Sequence, residues 1–300
     1  MNFEEELERK TGEAEEVIRG YLPGPEGFQR RVLEAMDYAV SAGGKRLRPL
    51  LMRESAALFG DVGEELSCFM AAIEFIHTYS LIHDDLPALD NDDYRRGRKT
   101  THVVYGEDIA VIAGDGLLNY AYETALRAFD KSVTIEDYQR TGLAMKILGR
   151  KAGVYGMVGG QCADLLAERP ETEVPEEMLL FIHKNKTAAL IQAAMTIGAV
   201  LAGADEKAVE RIERCAENIG VAFQIQDDIL DVTGSLEVLG KPTGSDEKNH
   251  KLTYVAMHGL EESKRQVEAL SEEAVGNLKG FPQRNAFLEA LVEHLIYREK

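Results

Sequence analysis

Two acidic stretches stand out, because each follows an apolar segment suited to a protein core. The first, LIHDDLPALDNDD at residues 81–93, places five aspartates within ten residues. The second, QIQDDILDV at residues 224–232, carries three. An isolated buried carboxylate is very costly, so these aspartates must face a polar cavity or be paired. Grouped carboxylates suit a hard divalent cation such as Mg²⁺, which keeps several waters that a phosphate can replace.

The spacing of the acids differs between the two stretches. Asp227 and Asp231 are four residues apart, so on a helix they share one face with each other, and Asp228 completes the DDxxD pattern. The first stretch has a longer DDx4D pattern, formed by Asp84, Asp85 and Asp90. An ideal helix would turn Asp90 far from the face of Asp84. Pro87 discourages a regular helix and could start a local bulge, so we expect these carboxylates to converge.

Basic residues cluster at four places in the chain. The clusters are GGKRLRP (43–49), YRRGRKTTH (94–102), HKNKT (183–187) and GKPTGSDEKNHKLTY (240–254). Arginine forks match phosphate oxygens, and lysine supplies a compact charge. Together with a metal held by aspartates, the clusters predict a diphosphate substrate. No GxxxxGK[ST] or GxGxxG signature is present, which disfavours nucleotide binding, and the offsets of an EF-hand loop are also missing.

The motifs occur in an order that resembles the trans-prenyl diphosphate synthases. GGKRLRP, IEFIHTYSLIHDDLPALDNDDYRRGRKTTH, GGQCADL, HKNKT, FQIQDDILD and GKPTGSD carry the resemblance, over roughly residues 28–260. Within that family, the DDx4D form resembles the bacterial farnesyl diphosphate synthases (geranyltranstransferases). The resemblance implies an Mg²⁺-dependent, head-to-tail condensation of isopentenyl diphosphate with dimethylallyl or geranyl diphosphate. The products would be farnesyl diphosphate and pyrophosphate.

The resemblance also implies roles for individual residues. Three Mg²⁺ ions, for which Mn²⁺ could substitute, would be held between two facing sets of aspartates: Asp84, Asp85, Asp90, Asp227, Asp228 and Asp231. The allylic diphosphate and its metals would contact Arg95, Lys186, Thr187, Gln224, Lys241 and Lys251. Isopentenyl diphosphate would be held by Lys45, Arg48, His77 and Arg96. Among these residues, we expect Lys186 and Lys241 to act in catalysis together with the aspartates.

The expected chemistry begins with ionisation of the allylic C–O bond to a carbocation and a diphosphate anion. Cations aimed at the leaving group stabilise its developing charge. An apolar cavity excludes the water that would otherwise quench the carbocation. The alkene of isopentenyl diphosphate then attacks, and a proton is lost. No side chain is an obvious general base, so we hypothesise that the departing pyrophosphate accepts the proton.

The length of the product is expected to depend on the residues one turn before the first aspartate. If the diphosphate is anchored at Asp84, the growing tail runs back along the preceding helix past Tyr79 and Ser80. Tyr79 is bulky enough to form the floor of that path. An aromatic residue five positions before the first aspartate resembles farnesyl-producing bacterial enzymes.

The elements that position these residues are predicted to be helices. Apolar periodicity of 3.6 residues dominates, and β-branched alternation is scarce. Candidate helices cover residues 2–20, 25–42, 46–58, 63–84, 107–129, 134–168, 175–202, 205–233, 252–276 and 284–298. The fold class is therefore predicted to be all-α, in a single domain over residues 1–300. The family resemblance adds an orthogonal bundle of about ten core helices around a deep central cavity, and a homodimer.

Composition bears on the binding partners and the cellular compartment of the protein. The net charge of −18 argues against nucleic-acid binding. The three cysteines are isolated, which fits a reducing cytoplasm. The acidic N-terminal stretch does not resemble a signal peptide, and no apolar run is long enough for a transmembrane helix.

Three alternatives stay open from sequence. The first is a geranylgeranyl diphosphate synthase. The second is a terpene cyclase, which would not need GGKRLRP for a second diphosphate. The third is a catalytically silent subunit of a prenyl synthase heteromer, against which the two complete aspartate motifs weigh.

Overall fold

The computed structural model describes residues 2–169, 171–233 and 253–296. The chain forms two compact units. One comprises Met1–Arg53 and Asp61–Met145, and the other comprises Glu54–Gly60 and Lys146–Lys300. The single domain and the central cavity predicted from sequence stay predictions.

The elements follow one another along the chain as helices, interrupted by one short hairpin. Up to residue 152 they are α1 (Phe3–Tyr21), α2 (Arg30–Val40), α3 (Leu47–Ala56), α4 (Glu64–Asp84), β1 (Tyr94–Arg95), β2 (Arg98–Lys99), α5 (Thr101–Tyr105), α6 (Glu107–Leu126), a 3₁₀ turn (Arg127–Asp130) and α7 (Ile135–Ala152). The later elements are α8 (Met157–Ala167), α9 (Glu176–Ile182), a π-helical turn (His183–Thr187), α10 (Ala188–Leu201), α11 (Glu206–Thr233), α12 (Tyr254–His258), α13 (Leu260–Lys279) and α14 (Ala286–Ile296).

The most buried helices are those whose sequences are apolar on every side. In the first unit, α4 packs against α6, and a glycine allows the close approach. A Cβ added at Gly114 would lie 2.0 Å from His83 Nε2, so a larger residue would displace that ring. In the second unit every residue of α10 is buried, and α10 packs against α11. Gly220 of α11 permits this contact, because a Cβ there would lie 2.3 Å from the Cβ of Ala188.

The all-α prediction is confirmed, since the described residues contain only one two-stranded antiparallel ladder, with Tyr94 paired to Lys99 and Arg95 to Arg98. Two predicted helices were too long. The segment 134–168 is divided into α7 and α8 by a turn at residues 153–156, where glycines stand at both ends. The segment 252–276 is divided at Gly259, whose φ of 80° breaks the helix.

No helix in the described part of the chain has both the length and the apolarity needed to cross a bilayer.

Candidate active site

The first aspartate stretch begins where α4 ends. Asp84 is the last residue of α4, and residues 85–90 form a succession of turns instead of a further helix. The backbone N–H of Asp90 donates a hydrogen bond of 2.9 Å to the carbonyl oxygen of Asp84. The expectation that the regular helix stops near Pro87 is therefore confirmed, and the turns bring the third aspartate of the pattern back to the first.

The hairpin that follows places an arginine on this stretch. Arg96 (φ 53°) and Gly97 (φ 74°) form its tight turn, in the left-handed region that such hairpin turns require. Arg95 donates to Asp85 Oδ1 from Nε at 2.7 Å and from Nη2 at 2.6 Å. Burial raises the pKa of the Asp85 carboxyl, although Arg95 opposes the shift. Asp85 is buried, whereas Asp84 is half-buried and Asp90 is exposed.

The basic residues of the GGKRLRP segment differ in burial. Arg46 is buried and adopts a left-handed conformation (φ 44°). Its guanidinium donates to Glu15, to Glu74 Oε1 at 2.7 Å, and to the carbonyl oxygen of Val40. Arg46 is therefore committed to protein acceptors, whereas the neighbouring Lys45 is exposed.

The residues expected to hold isopentenyl diphosphate come together in the first unit. Arg96 lies over the GGKRLRP segment, where Nη1 donates to the carbonyl oxygen of Gly43. Burial, followed by the charges of Arg48 and Arg96, holds the pKa of His77 well below its ordinary value. Arg48 Nε is buried and finds no acceptor in the described part of the chain. The group thus combines cations, a neutral imidazole and one orphaned donor, which fits an anionic oxygen-rich ligand.

The two residues expected to control product length lie on α4 between His77 and Asp84. Tyr79 is only 6 % exposed, and its ring meets His83 edge-on with 5.8 Å between centroids. Burial raises the pKa of Tyr79 to about 12. The Ser80 hydroxyl donates to the carbonyl oxygen of His77 at 2.9 Å, so it is satisfied within its own helix. Tyr79 is therefore the bulkier and more deeply buried of the two.

In the second unit, HKNKT forms a π-helical turn, an irregularity that often marks functional sites. Lys186 Nζ pairs with Asp164 Oδ2 of α8 at 2.5 Å. A glycine of GGQCADL makes this approach possible, because a Cβ added at Gly160 would lie 2.1 Å from the backbone nitrogen of Lys186. The motif GGQCADL therefore contacts the lysine of HKNKT through both its second glycine and its aspartate.

A chain of hydrogen bonds joins HKNKT to the second aspartate stretch. Thr187 Oγ1 donates to Gln224 Oε1 at 2.8 Å, and Gln224 Nε2 donates to Asp228 Oδ1 at 3.3 Å. The backbone N–H of Tyr254 donates to Asp228 Oδ2 at 2.8 Å. Asp228 is buried, whereas Asp227 and Asp231 are half-buried one turn apart on α11. Each carboxylate oxygen of Asp228 thus accepts a hydrogen bond from the protein.

Sequence reasoning missed two carboxylates in these groups. Glu74, which pairs with Arg46, lies three residues before His77 on the same face of α4. Asp164, which pairs with Lys186, lies within GGQCADL. The available signal was a charge inside an otherwise apolar helix. Lys241 and Lys251 lie outside the described residues, as do Arg298 and Lys300, for which the family resemblance implies a basic tail that covers the site.

The donor chemistry of the aspartates fits a hard cation, but the described residues do not form a complete cage. Among the described residues, no three carboxylate, imidazole or thiolate side chains converge as a ready metal cluster. Mg²⁺ commonly binds through one or two carboxylates, with waters and substrate phosphates completing its octahedron. The residues therefore fit Mg²⁺ that is bound together with a diphosphate.

Comparisons with known proteins agree with the motifs. Residues 29–292 match the family model described as polyprenyl synthetase. A farnesyl diphosphate synthase from Escherichia coli (strain K12) is 41% identical and covers 100% of both chains. A geranylgeranyl diphosphate synthase from Cyanophora paradoxa is 44% identical, over 91% of this chain and 90% of that protein.

Two solved structures are similar over nearly the whole chain. An FPP/GFPP synthase from Zymomonas mobilis superposes with a TM-score of 0.86, at 33% identity over 98% of this chain and 99% of that one. A geranyltransferase from Helicobacter pylori, complexed with magnesium and isoprenyl diphosphate, has a TM-score of 0.79, at 31% identity over 99% and 97% of the two chains. The family predicted from the motifs is thus confirmed, and the chain belongs to the polyprenyl synthetase family.

Proposed function

We propose that the protein is a prenyltransferase that condenses isopentenyl diphosphate with dimethylallyl or geranyl diphosphate to give farnesyl diphosphate and pyrophosphate. The observation that carries the proposal is the arrangement along α4. His77 lies near Arg48 and Arg96, Tyr79 is buried two residues later, and the first aspartates lie at the helix end. The helix α4 thus contributes His77 to a group suited to a diphosphate, then a bulky stop, and then the first acids, while Arg48 and Arg96 join that group from α3 and from the hairpin.

The aspartates would hold the metal that the allylic diphosphate brings with it. The proposed ligands are Asp84, Asp85, Asp90, Asp227, Asp228 and Asp231, with three Mg²⁺ expected and Mn²⁺ able to substitute. When bound, Mg²⁺ would supply Lewis-acid stabilisation to the leaving diphosphate. The similar Helicobacter pylori enzyme is complexed with magnesium and isoprenyl diphosphate, which supports this assignment.

Basic and polar side chains would share the charge of the leaving group. Arg95 already lies against Asp85, and Lys186 and Thr187 lie in the π-helical turn linked to Gln224. These groups would orient the allylic diphosphate and stabilise the charge that develops on it. We assign Lys241 and Lys251 to the same task from their motif alone.

Isopentenyl diphosphate would be bound by the group around His77. Arg48 would direct its orphaned Nε to a phosphate oxygen, and Lys45 and Arg96 would add charge. A neutral His77 can donate one hydrogen bond without adding to the repulsion among the arginines. The proton released after attack would pass to the departing pyrophosphate.

The decisive experiment is incubation with labelled isopentenyl diphosphate and geranyl diphosphate, with and without Mg²⁺, followed by chromatography of the products. A C15 product that depends on Mg²⁺ is expected. A C20 product would establish the second candidate, geranylgeranyl diphosphate synthesis, which relatives of that name at 44% identity favour. Cyclic hydrocarbons would indicate a cyclase, and the absence of any product would indicate a silent subunit.

A homodimer and a cytoplasmic location complete the proposal. The cysteines Cys68, Cys162 and Cys215 are all free thiols, which suits a reducing compartment. Light scattering of the purified protein tests the dimer, since a single species of twice the 33.2 kDa chain mass is expected.

A further inference from the structure

A buried carboxylate lies beneath the group proposed to bind isopentenyl diphosphate. Glu74 is 2 % exposed on α4, one turn before His77. Its Oε1 accepts a hydrogen bond of 2.7 Å from Arg46 Nη1. The same guanidinium donates to Glu15 of α1 and to the carbonyl oxygen of Val40 at the end of α2. Arg46 therefore connects α1, α2 and α4 at one point.

This network holds the backbone of GGKRLRP in an unusual conformation. Gly43 (φ 82°), Gly44 (φ 141°) and Arg46 (φ 44°) all have positive φ. A side-chain-bearing residue in the left-handed region is strained and persists only where its surroundings hold it there. The three acceptors of Arg46 supply that restraint. The conformation of Arg46 sets the direction in which the chain carries Lys45 and Arg48.

Glu74 also supplies the negative charge that the cluster of arginines needs. Its charge raises the pKa of Arg48 and that of Arg96, in both cases against the larger opposing effect of burial. It likewise helps to raise the pKa of Arg46, despite burial. Without this carboxylate, Arg46, Arg48 and Arg96 would repel one another, and Glu15 and Asp85 would be left to offset the charges of Arg46 and Arg96.

We propose that Glu74 is a positioning residue for the isopentenyl diphosphate site. It fixes the GGKRLRP backbone through Arg46, and its charge holds Arg48 and Arg96 close together. The inference rests on the proposed function, which identifies the ligand of this group. Glu74 is not itself a ligand, because a carboxylate would repel a diphosphate and its oxygen already faces Arg46.

The first test compares Glu74→Gln with the wild type in steady-state kinetics. Glutamine keeps the size of the side chain and an acceptor for Arg46 but removes the charge. The KM for isopentenyl diphosphate is expected to rise at least tenfold, while the KM for geranyl diphosphate changes less than twofold. Glu54→Gln is the matched control, because Glu54 is also buried but accepts from Asn285 in the other unit. Both KM values should stay unchanged in that control.

The second test measures binding without turnover. Calorimetric titration with inorganic pyrophosphate in EDTA measures the affinity of the basic side chains for pyrophosphate in the absence of metal. Glu74→Gln should weaken this binding by a similar factor, and the double variant Arg46→Gln, Glu74→Gln should recover part of it, since the two residues act as a pair. If Glu74→Gln does not fold, the double variant compared with Arg46→Gln alone gives the same test.

The outcomes separate the two proposals. A wild type that forms no prenyl product refutes the proposed function, yet its pyrophosphate affinity still tests the role of Glu74. Unchanged KM for isopentenyl diphosphate together with unchanged pyrophosphate affinity overturns the positioning role. Equal increases in both KM values, with a lowered unfolding midpoint, would show that Glu74 only stabilises the fold.

Discussion

The backbone N–H of Asp90 lies 2.9 Å from the carbonyl oxygen of Asp84, six residues earlier in the chain. This hydrogen bond closes the turns after α4 and returns the third aspartate of DDx4D to the helix end. A continuous helix would have carried Asp90 away along and around its axis. The longer spacing is therefore compatible with a shared task for the two aspartates, because the chain leaves the helix at Asp85.

Asp90→Asn should lower kcat about a hundredfold, as expected on removing one group that stabilises developing charge. The Mg²⁺ concentration that gives half-maximal rate should rise at the same time. Asp93→Asn is the matched control, since Asp93 is an exposed acid in the same segment. Steady-state rates across a Mg²⁺ titration check both variants. Equal effects of the two substitutions would contradict a specific role for Asp90.

Gly160→Ala should displace Lys186 of HKNKT without changing the lysine side chain itself. The added Cβ would lie 2.1 Å from the backbone nitrogen of Lys186, so α8 or the π-helical turn must move. We expect a loss of roughly 1–3 kcal/mol in the free energy of unfolding and a fall in kcat. In Gly149→Ala the Cβ meets no atom within 4 Å, so stability should be kept or improved and activity retained. Denaturant titration and product assays measure both, and a fully active, stable Gly160→Ala would refute the close contact.

Tyr79→Ala should lengthen the product, because it removes the bulk that is proposed to stop the prenyl tail. Chromatography of the dephosphorylated products should show a shift from C15 towards C20 and longer chains. Tyr79→Phe keeps the ring and should keep the C15 product. An unchanged product distribution in an active Tyr79→Ala enzyme would rule out Tyr79 as the residue that stops the prenyl tail.

His77 should make the stability of the protein depend on pH. Burial and the surrounding arginines (Arg46, Arg48, Arg95 and Arg96) lower its pKa in the folded state, with Glu74 the nearby acid. In the unfolded chain the His77 imidazole titrates near pH 6.5. The stability that a neutral His77 gives the folded protein is therefore complete above that pH, and it is lost as the pH falls towards the lowered pKa of the folded state. At pH 5.5 the loss is at most about 1.4 kcal/mol, the limit set by the pKa of the unfolded chain.

Urea unfolding at pH 7.5 and pH 5.5 checks this prediction. His77→Gln should lose up to about 1.4 kcal/mol less stability than the wild type over that interval. If the wild type and His77→Gln show the same pH dependence, His77 is not held neutral by its surroundings.

The helices and motifs could be predicted from the sequence because both are local in origin. The apolar faces of α4 and α10 follow from residues within each helix, and Pro87 marks the end of regular structure near Asp85. Glycines at 153, 156 and 259 divided two predicted helices. Their effect was missed because a glycine within a helical pattern is often tolerated.

What each charged residue does was decided only by the tertiary structure. In GGKRLRP the sequence alone could not distinguish Arg46, which is buried between Glu15 and Glu74, from Lys45, which is exposed. It likewise could not distinguish Asp228, held by Gln224 and Tyr254, from Asp227. Residue type and spacing determine which chemistry is available and which helix carries it. The partner that each charge meets comes from segments distant in the chain, and no local pattern encodes that pairing.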